Sequence, residues 1–220
     1  MSKIKTVMLV FIWLCLTHAA YAKKHPHKHV KKTISTPAAT LSVSQLNGFD
    51  NYPADVKKLI TSALALAEKR LPYKFGSDDP RNNGMDCSGA ISYLLKSERI
   101  TNAPRQASEL YQWAWEKGEF FAVNSHQVNS FEFSELRPGD LLFWTGTYPV
   151  RRDPAISHVM LYLGRDKQNR PLMFGATERR IARGKTVQGV GVFDFKMPAA
   201  HSKTRFLGYA CIPSLTCDSA

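Results

Sequence analysis

Asp86-Cys87-Ser88-Gly89 stands between a loop dense in Asp, Asn, Pro and Gly (Ser77 to Gly84) and a stretch, Cys87 to Lys96, with Ala90, Ile91, Leu94 and Leu95 at helical spacing. That order predicts a helix beginning at Cys87 with Asp86 at its N-cap. A thiol in the first helical turn faces unpaired backbone N–H groups and the positive end of the helix dipole, and both favour the thiolate. Such a nucleophile still needs a base, which must come from another part of the fold. Of the three histidines beyond the N-terminal tail (His126, His158 and His201), only His158 falls on a well-defined strand, Ser157 to Gly164. Alternation there puts His158, Met160 and Tyr162 on one side. Gly89 lets backbone or a ligand come close to the helix start.

The elements that must position these groups read as helices first and hairpins after. Val56, Leu59, Ile60, Ala63, Leu64 and Ala67 recur at helical spacing within Pro53 to Arg70, and a further helix is predicted over Ala107 to Lys117. Arg137-Pro138-Gly139-Asp140 is a turn before a buried strand, Leu141 to Trp144, and Asp140 is read as the cap of that turn. Strands follow at Leu172 to Ala176, Gly189 to Phe195 and Arg205 to Ile212, with Arg165 to Pro171 as a hairpin turn. This is an α+β domain, its N-terminal helices packed on a central antiparallel sheet. Trp113 and Trp115 are read as packing or surface-anchoring residues. Arg151 and Arg152, in the loop before His158, either border its cleft or are simply solvated.

Composition restricts the setting. The chain has 220 residues and a net charge of +12. Residues 1–22 read as a secretory signal peptide: Lys3 and Lys5, an apolar run from Val7 to Leu16, then Ala20-Tyr21-Ala22. Residues 23–50 read as a basic arm and flexible linker, with Lys23, Lys24, Lys28, Lys31 and Lys32 around His25, His27 and His29. Those histidines lack a Cys or carboxylate partner and are read as a solvated tail, so no metal or other cofactor is expected. An exported basic arm suits anionic envelope surfaces, and nucleic acid is not expected as a partner. The catalytic domain is placed at 51–213 and a tail at 214–220. Cleavage would leave Cys87, Cys211 and Cys217, so a Cys211–Cys217 loop would make Cys87 the odd thiol.

The series Tyr73-x-Phe75-Gly76, Asp86-Cys87-Ser88-Gly89, Pro104-Arg105-x-x-Ser108, Pro138-Gly139-Asp140-Leu141-Leu142-Phe143 and His158-Val159-x-x-Tyr162-Leu163-Gly164 resembles the NlpC/P60 family of papain-like cell-wall peptidases. The resemblance runs from about Leu59 to Ile212. It implies Cys87 as nucleophile, His158 as general base and Tyr73 as a donor to the developing oxyanion. It also implies Asp86, Ser88, Arg105 and Ser108 on the side that receives a peptidoglycan stem peptide, cut between γ-D-glutamate and the diamino acid. The implied protein is an exported, periplasmic or secreted, monomeric cysteine endopeptidase without a membrane span after cleavage. An amidase or acyltransferase on another substrate and a degenerate wall-binding domain are the alternatives.

Two departures bear on this reading. The third polar residue that orients the base would fall at Gly175, leaving Thr177, Glu178 or a carbonyl as substitutes. The chain between Cys87 and His158 is also long for the family, with the excess at Trp113–Phe133 and Gly146–Ile156.

Overall fold

The computed structural model describes residues 36–37, 39–117, 119–182 and 185–217. The expected signal peptide and the basic part of the arm lie outside the described residues. Among the described residues there are three α-helices: α1 (Ala54–Glu68), α2 (Cys87–Ser97) and α3 (Ala107–Lys117). Seven strands of the described residues form one sheet: β1 (Thr36–Pro37), β2 (Phe120–Ala122), β3 (Leu141–Thr145), β4 (Ile156–Arg165), β5 (Pro171–Ala182), β6 (Lys185–Asp194) and β7 (Arg205–Ala210). Their order is β1-β6-β5-β4-β3-β7-β2, antiparallel throughout except for β1 beside β6. The α+β arrangement read from the sequence is the one observed.

The apolar positions that predicted α1 are the ones it buries: Val56, Leu59, Ile60, Ala63, Leu64 and Ala67. α2 turns Ala90, Ile91, Leu94 and Leu95 inward and lies against β4 and β5. These side chains meet Leu141, Phe143, Val159, Leu161 and Phe174 from one face of the sheet. The opposite face is covered as well. Leu142, Trp144, Met160, Tyr162, Met173, Phe193 and Tyr209 form a second apolar layer there, closed by Val123, Phe133, Phe195 and Phe206. With both faces buried, β4 is inaccessible along nearly its whole length, so a continuous apolar run accompanies its alternation. The added length at Trp113–Phe133 therefore has a structural use: it supplies edge strand β2, paired to β7, and part of the second layer.

Two expected boundaries need correction. Residues 36–37 and 39–50 do not run free as a linker. β1 pairs with β6, Ala39 bridges Val192, Leu46 bridges Asp166, and Leu41 and Leu46 are buried in the main core. Ser42 and Gln45 close a capping box on a short 3₁₀ turn, which satisfies the backbone there. The Thr/Ser/Ala/Pro composition hid this, because two leucines suffice to dock a short segment. At the other end, Leu215 and Thr216 are buried, Thr216 accepts the Ile212 N–H at 2.6 Å, and Cys211 is disulfide-bonded to Cys217. The expected tail thus belongs to the domain through Cys217.

Leu46→Ala should lower the unfolding free energy by about 2–4 kcal/mol, read from urea titration. A segment lying free of the domain would show no change.

Candidate active site

The start of α2 is organised by one carboxylate. Asp86 Oδ1 accepts the Gly89 N–H at 2.7 Å, which is the N-cap bond the sequence predicts, and Oδ2 accepts the Gly76 N–H at 2.8 Å. The Arg105 guanidinium donates to Asp86 Oδ2 at 2.9 Å and to Ser88 Oγ at 2.9 Å, and its Nε lies 3.5 Å from Asp78. One buried anion thus joins the loop before the helix, the helix itself and the segment before α3. Gly89 is required by its own chain. A Cβ there would overlap the Ser77 carbonyl oxygen, which accepts the Asp86 N–H.

Cys87 follows this cap and is a free thiol, 5% exposed. Its sulfur is in hydrogen-bonding reach of the backbone N–H groups of Ser88 and of Val159, the residue after His158. That contact sets the thiol against the β4 backbone, one residue past His158. Burial pushes the thiol up to about 11, and the adjacent Asp86 carboxylate adds to the rise; the two N–H groups and Arg105 act in the other direction without prevailing. The helix start alone predicts a thiolate. Here burial and the capping anion outweigh the dipole, and the resting group is a thiol.

His158 is buried, and burial followed by the charge of Arg180 brings it down to about 3, so the resting imidazole is neutral. Its ring lies 5.7 Å from that of Trp144, tilted by 59°. Among the described residues no side chain hydrogen-bonds the ring. Gly175 explains why. Glycine brings no side chain, and a Cβ there would lie 3.0 and 3.1 Å from Met160 Cε and Cγ, so the methionine would have to give by a few tenths of an ångström. The place expected to hold an orienting residue is bordered by methionine. Thr177 donates to the Arg179 carbonyl, and Glu178 is exposed.

Tyr73 feels burial and then the charges of Cys87 and Asp86, which hold its hydroxyl well above the usual phenol range, so it stays a donor. It shares with His158 the wall of a cleft of about 690 Å³, along with Trp144, Tyr148, Thr177, Glu178, Arg180 and Lys196. Asp86, Ser88 and Arg105 are together, bonded to one another. Ser108 is half-buried in the first turn of α3, three residues beyond Arg105. Asp140 caps its turn through the Arg137 N–H at 2.8 Å. Arg152 spends its guanidinium on the Ile156 carbonyl, and neither it nor Arg151 lines the cleft. Arg180 and Trp144 are among the cleft residues that sequence reasoning did not place there. Trp144 reads as ordinary strand core, and Arg180 lies beyond the expected end of its strand.

The NlpC/P60 family pattern matches residues 70–181, just over half of the chain. The chain belongs to the NlpC/P60 family. It is 26% identical over 170 residues to the murein DD-endopeptidase MepH of Escherichia coli K12, covering 69% of this chain and 56% of that protein. Over 100 residues it is 33% identical to the gamma-DL-glutamyl hydrolase of Bacillus subtilis 168, covering 44% of this chain and 20% of the relative. A crystal structure titled as similar to lipoprotein, NLP/P60 family, from Staphylococcus aureus Mu50 superposes with a TM-score of 0.49 at 20% identity. It covers 81% of this chain and 45% of the other. The chain therefore spans roughly half or less of the length of each of these relatives.

Two measurements check this geometry. Gly89→Ala should destabilise the fold in a thermal melt, whereas in an unhindered helix the same change gains about 1 kcal/mol. Alkylation of Cys87 by iodoacetamide should rise about tenfold per pH unit from 7 to 10, because at pH 7 only about one thiol in ten thousand is ionised. A plateau beginning near pH 6 would show a resting thiolate instead.

Proposed function

We propose that this protein is an exported cysteine endopeptidase that hydrolyses peptidoglycan stem peptides, with Cys87 as nucleophile and His158 as base. The observation that carries the reading is the thiol at the capped start of α2, within reach of the Val159 N–H and of Tyr73, which lines one cleft with His158. Because both partners are neutral at rest, the thiol proton passes to the imidazole as sulfur attacks the carbonyl carbon. Backbone N–H groups at the helix start and the Tyr73 hydroxyl stabilise the oxyanion. His158 then gives that proton to the departing amine, and water, deprotonated by the same imidazole, cleaves the thioester. Arg105, fixed by Asp86 and Ser88, turns its exposed edge with Ser108 toward the peptide stem.

The bond we assign is that between γ-D-glutamate and the diamino acid. The two relatives are named for different bonds, one a DD-endopeptidase and one a gamma-DL-glutamyl hydrolase, so bond choice must be measured on this chain. Export rests on the leader-like residues 1–22, and the basic arm would hold the protein at anionic envelope surfaces. A binding-only domain is the second reading, favoured by the lack of a polar partner on His158 among the described residues and by Gly175.

Mass spectrometry of products from defined stem peptides decides between them. The wild type should release the diamino acid fragment, and Cys87→Ala should reduce release by at least about a thousandfold. His158→Gln should do the same. Wild-type protein that sediments with peptidoglycan yet releases nothing would establish the binding domain.

A further inference from the structure

Arg180 lines the cleft beside His158, and the proposed reaction leaves its chemistry unused. The pairing of β5 with β6 shifts register between Thr177 and Arg180, and Arg180 pairs with Val187 beyond the shift. Met173, Gly175 and Thr177 share the His158 face by alternation, and an unbroken strand would point residue 180 the other way. The bulge turns it back, a recurrent use of bulges beside sites. Its guanidinium carbon sits 5.6 Å from the centre of the Trp144 ring, and Nη1 donates to Met160 Sδ at 3.5 Å. A thioether is a weak acceptor for a group with five donors. Among the described residues Arg180 has no ion pair with a carboxylate. Burial is the sole influence on its ionisation, and it remains charged at neutral pH. The adjoining Trp144 has a buried indole N–H without an acceptor. Two donor groups short of an acceptor thus lie together beside the base. Arg179 and Lys196 add positive charge to the same cleft, against Glu178 alone.

We propose that Arg180 is a specificity residue that binds the α-carboxylate of the amino acid whose amine leaves in the cleavage. This rests on the hydrolase reading above. The side of the cleft follows from the neighbours. Cys87 keeps company with Tyr73, Asp86 and Arg105, whereas Arg180 keeps company with Trp144, Met160 and His158. The base must hand its proton to the leaving nitrogen, so the leaving residue lies on the His158 side. Its α-carboxylate is one carbon from that nitrogen and falls within reach of the guanidinium. A planar carboxylate matches the Arg fork, and the pairing also offsets the positive charge that disfavours a protonated His158. Cleavage would then favour stems that end at the leaving residue.

The test uses L-alanyl-γ-D-glutamyl-diaminopimelate with the α-carboxylate at the scissile centre either free or as a carboxamide, the distant carboxylate unchanged. Full-length wild type should prefer the free acid by about 30-fold in kcat/KM, the scale of one charge-assisted hydrogen bond. Arg180→Gln should bring that ratio close to one. The ratio is taken on one sample and does not depend on how much of the variant is folded. Should Arg180→Gln yield no folded protein, Arg180→Lys carries the test, with the ratio falling several-fold as the fork is lost. Equal rates in the wild type, or an undiminished ratio in the variants, would overturn the assignment. If neither peptide is cleaved the hydrolase reading fails. Calorimetric binding of the two peptides to Cys87→Ala and to Cys87→Ala with Arg180→Gln then decides. Tighter binding of the free acid that the second change removes keeps the carboxylate site; equal or absent binding removes it.

Discussion

The Asp86 carboxylate is the constraint on which the rest of the site depends. It caps α2, takes the Gly76 N–H from the preceding loop and pairs with Arg105 from the segment leading to α3. A buried carboxylate is tolerated only when its lone pairs are satisfied, and four donors do so here once Ser88 Oγ is included. The arrangement fixes where the first turn of α2 begins, and hence where the sulfur of Cys87 sits against β4. Residue 89 must be glycine for the same reason, because the carbonyl that positions Asp86 occupies the space a side chain would need. The cap also has a cost. Its negative charge sits beside the sulfur and opposes the thiolate that a helix start would otherwise favour.

That opposition links the cap to His158. Both Cys87 and His158 are withdrawn from water, and charge separation between them is unfavourable until something in the cleft compensates. Among the described residues no polar side chain holds the imidazole. The chain uses shape: Trp144 on one side and Met160 bordering Gly175. Packing can fix a ring as firmly as a hydrogen bond, but it leaves the ring's basicity to other charges. Arg180 is the charge that bears on the His158 ring, and it lowers the basicity that burial has already reduced.

Much of this was readable from the chain. The period of Val56 to Ala67 marks α1, Asp86 before Cys87 marks the start of α2, and the alternation through His158 marks β4. Each is local, because capping and periodicity concern residues within a turn or a strand. The docking of Leu41 and Leu46 was not readable, since a Ser/Thr/Pro-rich stretch carries no period to announce it. Edge strand β2 escaped notice because three residues are too few for alternation. The long loop between α3 and β3 reads as an insertion, and only the second apolar layer shows what it covers.

The amino-acid sequence by itself supplied the candidate residues and the order in which they come, Cys87 at a helix start and His158 on a buried strand. The tertiary structure alone decided their ionisation and their company. A pKa depends on what surrounds a group from every direction, and those surroundings come from β3, β4 and β5 as well as from its own element. So too with Arg180: a one-residue register shift between β5 and β6 turns it toward His158, and a shift in pairing is a property of two strands, not of either sequence alone.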